Sequence, residues 1–94
     1  MYFVSYDISS NKLRKKVADL LEDYGIRIQY SVFECDLDTR KYRELYAKMT
    51  KLTADMQDGS VIFCPICDKC YSKKRVIGDA VPTARHDSDE VIVK

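Results

Sequence analysis

An α+β fold, with helices on one face of an antiparallel sheet, follows from three features of this 94-residue sequence. Two segments, residues 13–24 and 42–56, repeat apolar side chains at helical spacing. Strand-like runs rich in aromatic and β-branched residues flank both of them. The connections between these segments are a few residues long, so the elements must be close neighbours in one small domain.

The first run, residues 2–8, alternates Tyr2, Val4, Tyr6 and Ile8 against Phe3, Ser5 and Asp7, which predicts a strand with two distinct faces. Ser9-Ser10-Asn11 offers capping side chains for a helix whose buried stripe is Leu13, Val17, Leu20, Leu21 and Tyr24. Gly25 follows, where a left-handed residue can close the helix. Residues 26–37 are β-rich without Gly or Pro and are long for one strand, so either two short strands or a bulge near Tyr30-Ser31 is expected. Asp38-Thr39 starts a second helix, with Tyr42, Leu45, Tyr46, Met49, Leu52 and Met56 inward. Asp58-Gly59 turns the chain into a strand over Ser60 to Cys64 that Pro65 ends. Residues 66–72 read as a short connection and Lys74 to Ile77 as a last brief strand.

The order β-α-β(β)-α-β-β is that of a ferredoxin-like sandwich over residues 1–78, its sheet covered by helices on one face and open on the other. Asp7, Ser31 and Phe33 are candidates for the open face according to register, and Phe3 with Phe33 there would form an exposed apolar patch. Tyr24, Tyr42 and Tyr46 fall on helix stripes and are expected in the core. Residues 79–94 form a polar tail that carries His86, the only histidine, as a solvated residue. The tail ends in a strand-like tip, Val91 to Val93, expected as a C-terminal edge strand on a sheet edge, its own or a partner's, with the partner subunit the preferred choice.

A chain of this length buries only about 60–65% of its unfolded surface, enough for one core. Its apolar runs of four to six residues fall well short of the roughly 20 needed to cross a bilayer, and Asp7 interrupts any secretory h-region. No membrane association and a cytoplasmic location are the expectation. The net charge of +1 hides an asymmetry: residues 1–78 carry 14 Lys/Arg against 11 Asp/Glu, and residues 79–94 carry two against four. The body is thus mildly basic, with clusters at residues 12–16 and 73–75 that suit either phosphate or plain solvent.

Several side chains could carry chemistry. Asp7, at a strand end, is a hard oxygen donor of the kind Mg²⁺ or Mn²⁺ takes, and equally an anion placed to favour the dipole of the following helix. A twofold dimer would bring two copies of Asp7 to one site. Arg14, Lys15, Lys16 and Arg27 could neutralise phosphate oxygens or form a solvated face. Cys64, Cys67 and Cys70 stand at C-x₂-C-x₂-C spacing, with Cys35 as a fourth thiol. Structural zinc on these four is disfavoured: the spacing matches no zinc ribbon, and Cys64 sits in a strand while Cys67 and Cys70 follow in a turn.

The string Tyr6-Asp7-Ile8, the Arg/Lys-bearing first helix and the run from Tyr24 through Gly25, Arg27, Gln29, Ser31, Val32, Phe33 and Glu34 to Cys35 closely resemble the CRISPR-associated Cas-two family. The resemblance spans residues 1–78. It implies a ferredoxin-like homodimer that binds nucleic acid and works with the CRISPR integrase, the Cas-one protein, in spacer acquisition. It further implies a metal-dependent endonuclease acting on single-stranded RNA or double-stranded DNA, or a non-catalytic scaffold of the integration complex. Asp7 matches the family's catalytic and metal-binding residue, with Mg²⁺ or Mn²⁺ at the dimer interface. Tyr6, Arg14, Lys16, Arg27, Ser31 and Phe33 match residues tied to nucleic-acid binding at that site. Lys16 stands where some members have Arg, which keeps the charge and loses bidentate phosphate recognition.

Overall fold

The computed structural model describes residues 1–79 and the backbone of Val91–Val93; His86 and the polar stretch before the terminal strand lie outside the described residues. The elements run β1 (Tyr2–Asp7), α1 (Asn11–Glu22), β2 (Ile26–Gln29), β3 (Val32–Cys35), α2 (Thr39–Leu52), β4 (Ser60–Pro65), α3 (Asp68–Ser72), β5 (Arg75–Ile77) and β6 (Val91–Val93). The main sheet has the order β2-β3-β1-β4, and every neighbouring pair in it is antiparallel. This is the ferredoxin-like arrangement: β3 and β1 lie centrally, β2 and β4 at the edges.

Both long helices begin where capping chemistry allows. The Ser10 hydroxyl accepts the Leu13 N–H at 3.2 Å, and Asp38 accepts the Lys41 N–H at 2.8 Å. Their inner stripes, Val17, Ala18 and Leu21 from α1 with Leu45 and Met49 from α2, pack on Val4, Tyr6, Phe33 and Cys35 of the central strands. Tyr2 stacks on Tyr42 with centroids 4.5 Å apart, and Phe63 meets Tyr42 edge-on at 5.8 Å. Tyr24 and Tyr42 are half-buried at the margin of this core, but Tyr46 is 51% exposed, against its expected place within it. It lies at the outer border of the stripe, against Phe63 of the edge strand.

Residues 26–37 are two strands joined at Tyr30-Ser31, and the register shifts between Arg27 and Gln29. Gly25 is not left-handed; among the described residues only Gly59 and Gly78 have positive φ. The need for glycine at 25 is one of space, since β3 passes directly against its α-carbon. The pairing of Val4 with Phe33 turns Phe33 toward the helices, where it is fully buried, so Phe33 is not part of an open-face patch.

The second face carries Phe3, Ser5 and Asp7 beside Val32, Glu34, Ile62 and Cys64. It is only partly open. Residues 68–77 fold back across it instead of forming a plain connection, and α3 buries Tyr71 there. The Tyr71 hydroxyl donates to Glu34 Oε1 at 2.5 Å and the Lys74 ammonium to Oε2 at 2.8 Å, leaving Glu34 with no exposed surface. A carboxylate so buried is tolerated because its oxygens meet a hydroxyl and an ammonium. The terminal strand β6 runs parallel to β5 of its own chain as a separate two-stranded sheet.

Candidate nucleic-acid interface

The end of β1 and the first turn of α1 organise the predicted site. Asp7 is the last residue of β1, is exposed, and pairs with Ser60 of β4. The turn before β4 is built for that approach. Gly59 has φ +100°, and a Cβ there would lie 2.4 Å from the Asp7 carbonyl oxygen. Any larger residue would push on the backbone that presents the carboxylate. Ser9 steadies the same corner by donating to Asp58 at 3.0 Å.

Tyr6 points the other way, under α1. It is nearly buried, its N–H donates to the Ser31 carbonyl at 3.1 Å, and its hydroxyl reaches the Tyr30 carbonyl at 3.5 Å. Arg14 is tied to this corner: Nη1 donates to the Ile8 carbonyl at 2.9 Å and Nη2 to the Asn11 side chain. Arg27 rises from β2 with its guanidinium 5.3 Å from the centre of the Phe33 ring and 3.9 Å from Glu22. That ion pair is half-exposed and worth little, so it leaves Arg27 available to another anion.

Tyr6, Arg14, Lys15, Arg27 and Tyr30 line one cleft of about 390 Å³ between α1 and the β2–β3 hairpin. Asp19 and Glu22 sit on the same walls, with Lys15 paired to Asp19 at 3.0 Å. Three cations against two carboxylates make the cleft weakly positive, and the ring of Tyr30, 73% exposed, is its open aromatic surface.

The predicted residues therefore divide. Tyr6, Arg14 and Arg27 come together on the helix side, and Ser31 supports Tyr6 through its backbone. Phe33 is inaccessible and acts from beneath, as the surface on which Arg27 rests. Lys16 is exposed on α1 and does not line the cleft. Asp7 stands apart from the cleft, on the face of the sheet opposite the helices. The residue that sequence reasoning passed over is Tyr30. Its signal was its place at the expected break in the 26–37 run, where a turn residue turns outward.

Mg²⁺ keeps most of its water and takes one or two carboxylates, so exposed Asp7 could serve it as one oxygen donor. The four thiols do not gather at one point. Cys35 is buried on the helix side, Cys64 lies across from Phe3 on the other side, and among the described residues no three potential ligands converge.

Comparison with known proteins fits this architecture. The profile of the family described as CRISPR associated protein Cas2 matches residues 1–74. A CRISPR-associated endoribonuclease Cas2 of Chloroflexus aurantiacus is 42% identical over 81 residues, covering 86% of this chain and 87% of that protein. A CRISPR-associated endoribonuclease Cas2 of Synechocystis is 40% identical over 79 residues, covering 84% of this chain and 85% of that protein. Among solved structures, Streptococcus pyogenes Cas2 superposes with a TM-score of 0.71 at 26% identity, covering 82% of this chain and 98% of that one. With its profile matched from β1 to the residue before β5, and its sheet order the ferredoxin-like one, the chain belongs to the CRISPR-associated Cas2 family.

Proposed function

We propose that this chain is a homodimeric nucleic-acid-binding protein of CRISPR adaptation that hydrolyses phosphodiester bonds with Mg²⁺ or Mn²⁺. The carrying observation is the exposed Asp7 at the end of β1, on the face of the sheet that the long helices leave free. A twofold axis through that face would set Asp7 opposite its mate, supplying the second carboxylate one chain lacks. The two Asp7 carboxylates would hold the ion, which supplies water activation and charge neutralisation at the scissile phosphate. Arg14, Lys16 and Arg27 hold the phosphate backbone, and the Tyr30 ring offers a stacking surface to an unpaired base. No base-reading motif is present in the sequence, so weak sequence preference follows. The printed names of the relatives, endoribonuclease and endonuclease, support the reaction class.

The rival reading is a scaffold that holds DNA for the integrase. It draws on the separation of the cationic cleft from Asp7, since binding and cleavage then need not share a surface. The deciding experiment measures cleavage of labelled single-stranded RNA and duplex DNA by wild type and Asp7→Ala, with Mg²⁺ and with chelator. We expect metal-dependent cutting that Asp7→Ala lowers at least about a hundredfold while binding persists. Cutting by Asp7→Ala at the wild-type rate overturns the assignment. Binding without cutting in both proteins leaves the scaffold.

A further inference from the structure

The mechanism above leaves the cysteines unused, and they are not equivalent. Cys35 is fully buried in the core, and burial, then the neighbouring Glu34 carboxylate, pushes its thiol up to about 11. Cys64, Cys67 and Cys70 are exposed. Of these, Cys67 and Cys70 are joined. The chain is extended at Cys67 and turns helical directly after it, so both side chains bracket the first turn of α3. Cys67 Sγ accepts the Cys70 N–H at 3.4 Å, and the Cys70 thiol also donates to Cys67. These contacts hold the Cys67 thiol below the ordinary range, the Cys70 N–H first among them, while donating to Cys67 raises Cys70. A nucleophile is thereby set beside a protonated partner, the division of labour that thiol–disulfide exchange requires.

We propose that Cys67 and Cys70 are a reactive dithiol, oxidised reversibly to an intrachain disulfide by small-molecule disulfides of the glutathione type. The Cys67 thiolate attacks one sulfur of the disulfide, whose S–S bond breaks to release one thiolate. Cys70 gives its proton to water and attacks Cys67 Sγ, and the second thiolate leaves. Two protein thiols are oxidised and one disulfide is reduced to two thiols. The bond closes over the turn that carries Tyr71 onto Glu34, so it reports on the segment covering the sheet's second face.

The test treats reduced full-length protein with oxidised glutathione, then alkylates and weighs the intact chain. The expected result is loss of two of the four thiols with no glutathione retained, fully restored by dithiothreitol. Trypsin cuts after Lys69, between the two cysteines, so the disulfide appears as a linked pair of peptides. Cys64→Ser should behave as wild type, and Cys70→Ser should retain one glutathione, on Cys67. All these side chains are exposed, and circular dichroism checks that the variants fold. Loss of no thiols, stable glutathione adducts on wild type, or a bond to Cys64 overturns the proposal.

Discussion

A methyl group added at Gly25 would lie 2.3 Å from the Glu34 carbonyl oxygen and 2.5 Å from Cys35 Sγ. The first is backbone of a central strand and cannot swing aside. Gly25→Ala is therefore expected to cost about 1–3 kcal/mol, the range for overpacking, read as a lower urea midpoint. An unchanged midpoint would mean that β3 can shift outward. The same spot gives a pH test. Native Cys35 keeps its proton up to about 11, while the unfolded thiol loses it near its ordinary value of 9. The folded state then binds more protons between those values, so this contribution is fully present below about pH 9 and is lost as pH rises through about 11. The difference in stability between wild type and Cys35→Ala should shrink across that window, by an amount on the order of 2–3 kcal/mol. Parallel pH profiles of the two proteins would contradict it.

At the scale of elements, α1, α2, β1 and β4 were legible because each has a strong period and a chemical stop: Ser10, Asp38, the Asp58-Gly59 turn. What was not legible follows from limits of periodicity. Both faces of the sheet carry large apolar residues, Val4, Phe33 and Phe63 on one and Phe3, Val32 and Ile62 on the other. Hydrophobicity alone therefore could not say which way Phe33 points; the pairing with Val4 decides it. A five-residue helix is too short to show a stripe, so α3 read as a connection. Of the candidate site, Asp7, Arg14 and Arg27 stood out by residue type and position and again by resemblance, but the sheet that separates Asp7 from the two arginines is a tertiary fact. The docking of α3 is testable. Lys74 is mostly buried, 2.8 Å from Glu34 and 4.8 Å from the centre of the Tyr71 ring. Lys74→Met should cost about 3 kcal/mol, since it takes a cation from a buried carboxylate. Glu34→Gln in the same chain removes that charge and should recover much of the loss in urea unfolding. Equal midpoints for the single and double variants would show that the pair is solvated.

At the scale of the whole molecule, the second sheet face keeps a sizeable apolar surface in contact with water. Ile62 is 57% exposed and Ile77 81%, and Phe3, Ile28, Val32 and Val76 line a cleft of about 300 Å³ beside Ile77. A monomer gains nothing by leaving these in water. The net charge of +1 sets up little repulsion between two copies, so apolar contact decides. A specific interface takes about 800 Å² from each partner, and the proposed twofold through this face would use it to bring the Asp7 carboxylates together. The proposed dimer then makes a concentration-dependent prediction. Sedimentation should give a dimer at micromolar protein, and the thermal midpoint should rise with protein concentration because association favours the folded state. Ile62→Glu puts a charge into the contact and touches nothing in the helix-side core, so it should yield a folded monomer with a concentration-independent midpoint. Asp7→Ala should remain a dimer. If Ile62→Glu also remains one, the subunits meet elsewhere and the shared-carboxylate site loses its geometric basis.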